Sequence, residues 1–321
     1  MTTSSALDLI DLHPKLADIK SECLNGLLGK PKTLPSMFLY DKKGSELFDA
    51  ITELPEYYPT RTEMRILQDN ASDIAESVGP GALVIEIGSG SSTKTEILLE
   101  ALEDPSGYIP VDISKQHLLE AADRIAEDYP DLPVQPVCAD YMSEWEFPEW
   151  ETPVQCRIAF FPGSTIGNMH PDESRALLKN IARILGSDGQ LLIGVDLRKD
   201  PSILVPAYDD AQGVTKAFTY NLLARLNREA GTDFHPQAYD YHVRWNDQAS
   251  RIEIHLVSQK DQVVTIAGVE VLIASGESIR TECSYKFTID SFAQLASPAY
   301  RPNRVWTDPE GLFSFHDLEV V

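Results

Sequence analysis

The segment Ala82-Leu-Val-Ile-Glu-Ile-Gly-Ser-Gly-Ser-Ser-Thr-Lys94 constrains the chain most: a short apolar run ends on Glu86 and breaks at once into Gly88-Ser-Gly90. It reads as a buried strand that delivers a glycine turn to a ligand. Glycine lets the backbone bend tightly and come close to a bound molecule, and the amides that open the next helix can face polar ligand atoms. The spacing is Glu-x-Gly-x-Gly. Thr93 stands where the dinucleotide pattern needs its third glycine, and no Gly-x-x-x-x-Gly-Lys-Ser/Thr loop is present.

Two further runs end the same way. Tyr108-Ile-Pro-Val-Asp-Ile113 carries Asp112 about twenty residues after the glycine turn, where an acid closing a second strand accepts ribose hydroxyls. Val134-Gln-Pro-Val-Cys-Ala-Asp140 closes on Asp140, followed by Tyr141. Any one of these acids could be a solvated loop charge or a helix cap. Glu86, Asp112 and Asp140 at the ends of three consecutive strands, together with the turn, point instead to a ligand on the carboxyl edge of an open α/β sheet. An adenosine ligand without a pyrophosphate suits the spacing, and S-adenosylmethionine (SAM) is the candidate.

The alternation continues to about residue 200. Ser114 can cap a helix whose Leu118, Leu119, Ala122, Ile125 and Ala126 share a face. Gln155 to Phe161 reads as a fourth strand running into Pro162-Gly-Ser-Thr-Ile-Gly-Asn168, where small residues leave room for a substrate and Asn168 offers donors and an acceptor. Pro171 opens a helix through Ala176, Leu177, Leu178, Ile181, Ile184 and Leu185, and Gln190 to Asp196 is the fifth strand. Strands alternating with helices predict a parallel, Rossmann-like sheet. Beyond Asp196 the pattern changes to a helix through Phe218, Leu222, Leu223 and Leu226, then strands at 242–245, 251–258, 262–267, 269–274 and 279–287. Turn residues between these strands predict an antiparallel insertion, and the runs 304–308 and 312–321 read as the closing hairpin of the first sheet.

Charge narrows the partners. Lys and Arg number 27 against 50 Asp and Glu, a net −23 spread along the chain, which repels phosphate backbones and makes nucleic acid a poor partner. No long apolar run or basic amphipathic helix suggests a membrane, and the start lacks the features of a secretion signal, so a cytoplasmic protein is expected. Cys23, Cys138, Cys156 and Cys283 are scattered, as are the histidines, of which His235 and His242 are nearest each other, so free thiols and metal-free chemistry are expected.

Several long motifs carry a resemblance. Pro31-Lys-Thr-Leu-Pro-Ser-Met-Phe-Leu-Tyr-Asp-Lys-Lys-Gly-Ser-Glu-Leu-Phe48, Ile51-Thr-Glu-Leu-Pro-Glu-Tyr-Tyr-Pro-Thr-Arg-Thr-Glu63, Phe160 to Asn168, Tyr208-Asp-Asp210 and Thr281-Glu-Cys-Ser-Tyr-Lys-Phe287 resemble the histidine-specific, SAM-dependent methyltransferase family across almost the whole chain. Its best-known members methylate the α-amino group of L-histidine three times to give hercynine in ergothioneine biosynthesis. Others methylate a prenylated tryptophan, and others serve as domains of larger proteins. The resemblance implies a class I SAM methyltransferase sheet from 61–196 and 286–321, with an α+β substrate-binding domain from 8–60 and 197–285. It implies SAM as cofactor, S-adenosylhomocysteine as product, L-histidine as substrate and a monomer. A tryptophan-like or other small aromatic amine is the alternative substrate, and a silent SAM-binding module the alternative class.

The roles that it implies fall on particular positions. For SAM they are Glu86, Gly88, Lys94, Asp112, Asp140 and Tyr141. For the amino acid, Asn168 and Tyr208 would hold the α-amino and carboxylate groups, Tyr57 the imidazole or carboxylate edge, and Glu282 and Ser284 the two imidazole nitrogens. Tyr40 and Phe48 would line the reaction chamber with Asn168, and Ile254 stands where some relatives carry Met, which changes the pocket's depth. The residue chemistry agrees. A trimethylated amine is a permanent cation that aromatic faces attract, and a carboxylate and a hydroxyl together satisfy the donor and acceptor of neutral imidazole. Glu282 and Ser284, two apart on a strand, point to one face.

Overall fold

A computed structural model describes residues 7–14, 17–89, 93–143, 145, 147, 150 and 152–321. Gly90, the second glycine of the turn, lies outside them. The chain runs β1 (Ile10–Asp11), α1 (Ile19–Leu28), β2 (Lys32–Thr33), a 3-10 turn at Ser36–Leu39, α2 (Lys42–Thr52), α3 (Tyr58–Asp69) and α4 (Ala71–Val78) before the first long strand. There follow β3 (Ala82–Ile87), α5 (Thr93–Ala101), β4 (Gly107–Asp112), α6 (Lys115–Asp128), β5 (Val137–Cys138), β6 (Cys156–Phe161), a 3-10 turn at Thr165–Asn168, α7 (Pro171–Leu185) and β7 (Gln190–Asp196). The remainder is α8 (Pro201–Leu204), α9 (Val214–Glu229), a short 3-10 turn, β8 (Tyr239–Asn246), β9 (Arg251–Ser258), β10 (Gln262–Ile266), β11 (Val269–Ile273), β12 (Ser278–Tyr285), α10 (Ile289–Ala296), β13 (Tyr300–Thr307) and β14 (Phe313–Val320).

Eight strands form one sheet in the order β1-β5-β4-β3-β6-β7-β14-β13. The six from β1 to β7 are parallel, and β14 and β13 close the sheet antiparallel as the sequence led us to expect. Chain order reverses between β3, which leads outward to β4, and its other neighbour β6. Crevices at such switch points, on the carboxyl ends of strands, are where open α/β sheets take ligands. Both faces are covered, so β3 is buried at every position and reads as an unbroken apolar run around Glu86. One layer packs Leu177, Leu178, Ile181 and Ile184 of α7 on Ile85, Phe161 and Ile193, and the other packs Ile66, Ile74 and Leu98 on Val84, Phe160 and Leu192.

The second sheet is smaller, in the order β2-β12-β9-β8. The strands expected after residue 240 are present and antiparallel, but β12 turns back to pair with β9, leaving β10 and β11 as a separate ribbon. Ala267 and Gly268, both at positive φ, make the ribbon's tight turn. β2 joins β12 in parallel, so the N-terminal segment is built into this sheet. Phe218, Leu222, Leu223 and Leu226 of α9 pack with Leu34, Phe38, Ile51, Leu256 and Ile279 in its core.

Two expectations need adjustment. The run 134–140 is not one strand: only Val137–Cys138 pairs as a ladder, and Val134 makes a single bridge to Tyr108. Pro136 has no N–H to donate and interrupts it. The segment 8–60 is also divided, because β1 pairs with β5 at the edge of the large sheet. Among the described residues, no helix is long and apolar enough to cross a membrane.

Candidate active site

At the carboxyl edge of β3 the chain turns at Gly88, whose φ of +74° is strained for any residue with a side chain. Its amide donates to Val111 O at 2.9 Å, and a Cβ built there would meet no atom of the described residues within 4 Å. Ser89 is buried and its Oγ has no partner among the described residues. Next to it, Asp112 closes β4, with Oδ1 accepting from Ser114 N at 2.7 Å. Burial raises the Asp112 carboxyl above its ordinary range, against the pull of that amide. Asp140 accepts from Met142 N and Ser143 Oγ, both at 2.9 Å, and Tyr141 beside it packs its ring 6.4 Å from that of Phe161.

Glu86 and Lys94 sit differently from the other sequence-selected residues of this edge. Glu86 is buried, and its two oxygens accept from Thr95 Oγ1 at 2.7 Å and from the Tyr108 hydroxyl. It braces the start of α5 to the sheet and is not brought to the open face. Lys94 is ion-paired with Glu63, which is fully buried and also accepts from Gly163 N at 2.9 Å. Gly194 opposite explains how a carboxylate fits there: a Cβ would lie 1.8 Å from Glu63 Oε1. No role was expected for Glu63, although the matching gap at Gly194 in an apolar strand was visible.

Across the edge stands a cluster of rings. Tyr40 lies 5.5 Å from Phe48, Phe48 lies 6.2 Å from Tyr57, and Tyr57 lies 6.4 Å from Tyr208, centroid to centroid. Tyr40 keeps 43% of its surface exposed despite this packing, so the cluster is the wall of an open space and not only a core. The floor is the inner face of the small sheet. Val243, Ile254 and Glu282 are direct neighbours across β8, β9 and β12, with Ile252 and Ser284 one step along. Ile254 is fully buried beneath. Gly167 lets the 165–168 turn approach β12, since a Cβ there would lie 2.7 Å from Tyr285 O. That approach brings Asn168 to a cleft of about 220 Å³ with Leu34, Arg280, Thr281, Glu282, Cys283 and Tyr285, which the ring cluster, Ser284, Gly88 and Asp112 do not line.

Behind Ser284 lies a buried ionic cluster. Tyr208 Oη is 2.9 Å from Ser284 Oγ, Lys286 Nζ donates to both at 2.8 and 2.9 Å, and Lys286 pairs with Asp196 at 2.6 Å. Asp196 also takes Tyr58 Oη at 2.8 Å and Lys199 at 2.5 Å. Burial alone would raise the Asp196 carboxyl, but Lys286 and Lys199 outweigh it and hold it below the ordinary range. Asp196, Lys286, Lys199 and Tyr58 were not singled out from the sequence, although Asp196 ends its strand as Asp112 and Asp140 end theirs.

Glu282 has no such neutralisation. Burial pushes its carboxyl from 4.5 up to about 7, with Lys286 opposing. Between those values the native state holds one proton more than the unfolded chain, so stability present below about pH 4.5 is lost as pH rises to about 7. Glu282→Gln removes that loss. Its melting temperature relative to the parent should climb between pH 5 and pH 8, by the equivalent of about 1–3 kcal/mol in ligand-free protein. A pH-independent difference would place the carboxyl in water.

The similarity of the chain to known proteins bears on this geometry. The model of the family described as "histidine-specific methyltransferase, SAM-dependent" matches residues 19–320. A histidine N-alpha-methyltransferase of Mycolicibacterium smegmatis is 41% identical over 92% of this chain and 95% of its own. One from Mycobacterium tuberculosis is 38% identical over 92% of each. In fold, the chain is similar to a SAM-dependent methyltransferase structure from Clostridium acetobutylicum, with a TM-score of 0.50 over 86% of this chain and 98% of the other at 9% identity. Class I methyltransferase architecture, a glycine turn with acids on its open edge and a match across nearly the full length together show that this chain belongs to the histidine-specific, SAM-dependent methyltransferase family.

Proposed function

We propose that the protein is a SAM-dependent L-histidine Nα-methyltransferase that adds three methyl groups to the α-amine, giving hercynine in ergothioneine biosynthesis. The observation that carries this reading is the pairing of Glu282 and Ser284, an acceptor and a hydroxyl two residues apart on one face of β12, beside an aromatic wall. The two histidine methyltransferases to which the chain is similar support it. We assign the cofactor to 61–196 with 286–321 and the amino acid mainly to 8–60 with 197–285.

The residues present fit SAM. The glycine turn at Gly88, the Ser89 Oγ with no partner among the described residues and the buried carboxylate of Asp112 are what a polar adenosine ligand would complete. Gly88, Lys94, Asp112, Asp140 and Tyr141 would hold it. When bound, SAM supplies an electrophilic methyl group on a sulfonium. The protein's task is then placement, with an unprotonated nitrogen held in line at roughly 3 Å. Asn168, whose side chain has no hydrogen-bond partner among the described residues, would hold the α-amine and Tyr57 the carboxylate edge, whereas the Tyr208 hydroxyl, expected on the α-amino and carboxylate groups, gives its one proton to Ser284 Oγ and has none left for a carboxylate. Tyr40, Phe48 and Tyr57 would stabilise the cation that accumulates with each methyl through their ring faces. Glu282, ionised above about pH 7, would accept the imidazole N–H, and Ser284 would donate to the other nitrogen.

Titration calorimetry with S-adenosylhomocysteine saturating tests the reading at the binding step. L-histidine should bind at least tenfold more tightly than L-tryptophan, because indole offers no lone pair to Ser284 and leaves it unpaired. Equal affinities would reverse the substrate assignment.

A further inference from the structure

Lys286 is buried, yet one of its three polar contacts is the hydroxyl assigned to the ring, and a second is the tyrosine that also donates to that hydroxyl. Its ammonium lies 2.6 Å from Asp196, 2.8 Å from Tyr208 Oη and 2.9 Å from Ser284 Oγ. An ammonium has three protons and no lone pair, so it donates in all three directions. A hydroxyl has one proton and two acceptor positions. Ser284 Oγ accepts from Lys286 and from Tyr208 Oη, the latter at 2.9 Å. Both acceptor positions are then filled. Its own proton is the one hydrogen bond it has left to offer.

We propose that Lys286 is a specificity-determining positioning residue: by occupying Ser284 from behind, jointly with Tyr208, it makes that hydroxyl an obligate donor toward the substrate ring. This rests on the reading that Ser284 faces imidazole. A ring nitrogen with a lone pair satisfies the donor, whereas an indole N–H in the same place meets a second donor. Glu282, two residues earlier on the same face, supplies the opposite preference. Together they read one lone pair and one N–H, which is neutral imidazole.

The arrangement depends on Lys286 staying charged within a buried site. Burial alone would push it down, but Asp196 beside it outweighs burial and raises it. Asp196 belongs to the end of β7 in the large sheet, and Lys286 follows β12 in the small one. The ion pair thus ties the ring-reading hydroxyl to the sheet that carries the cofactor edge. Loss of Lys286 does not strand Asp196, because Lys199 and Tyr58 remain on it.

The test is a double-mutant cycle of Lys286→Met and Ser284→Ala on kcat/KM for L-histidine, in the full chain with SAM saturating and active sites titrated. Lys286→Met should cost about tenfold in the parent, expressed in KM more than in kcat, and less than about twofold in the Ser284→Ala background. A general structural role would cost the same in both backgrounds and would overturn the inference. If Lys286→Met fails to fold, Tyr208→Phe in the same cycle replaces it. Removing the second donor into Ser284 should again show coupling above about threefold, and additive losses would overturn the proposal. A parent enzyme that methylates no histidine overturns the functional reading itself. Histidine turnover that is insensitive to Ser284→Ala overturns only the role given to Ser284 and Lys286.

Discussion

Glu282→Ala is expected to lower kcat/KM for L-histidine by about tenfold to a thousandfold, the range for losing one charge-assisted hydrogen bond in a desolvated pocket. The carboxylate accepts no hydrogen bond from a described residue and stands on the same face as Ser284, above the buried side chain of Ile254. It is thus available to a ligand, and its raised pKa is the cost of holding it there. Alanine removes the acceptor, opens space and discards an uncompensated charge. Tryptophan should therefore gain on histidine even where its absolute turnover stays low. Cofactor affinity should hardly change, because Gly88 and Asp112 lie on the other sheet. Side-by-side steady-state kinetics on the two amino acids checks this. Unchanged histidine turnover with continued rejection of tryptophan would mean that Glu282 does not read the ring.

The second large effect belongs to Asp112→Ala. One oxygen of Asp112 accepts from Ser114 N, which orients the carboxylate at the end of β4, the strand paired with β3 whose carboxyl end leads into Gly88. Losing a charged acceptor from ribose hydroxyls should weaken SAM binding by roughly 1.5–3 kcal/mol, about ten- to a hundredfold. Histidine affinity with S-adenosylhomocysteine saturating should move far less. Calorimetry that finds SAM affinity unchanged removes Asp112 from the site.

The large sheet was legible because its signals are local. Apolar runs that close on an acid, helix faces repeating every three or four residues, and Pro171 at a helix start each predict an element from a dozen residues, and β3, β4, β6, α7 and β7 lie where those signals put them. Pairings across long separations were not legible. Periodicity gives the strands of the insertion, but not that β12 returns to β9 while β10 and β11 stand apart, nor that β2 joins from the N-terminal segment. The same distinction separates the site's residues. Gly88 and Asp112 announce themselves by position within a strand-turn unit. Lys286 and Asp196 acquire meaning only when two sheets bring them to 2.6 Å, and Glu63 only when Gly194 makes room for it. Glu86 shows the converse: the pattern placed it at a strand end correctly, but its side chain direction follows from the needs of Thr95 and Tyr108.

The central claim is that this chain methylates the α-amine of free histidine. Incubation of the purified protein with methyl-labelled SAM and an equimolar mixture of the free amino acids, followed by mass spectrometry and fragmentation of the products, tests it most directly. The account predicts histidine carrying three labelled methyl groups on the α-nitrogen as the dominant product, with the imidazole unmodified. Label on a ring nitrogen, or on another amino acid in preference to histidine, would contradict it.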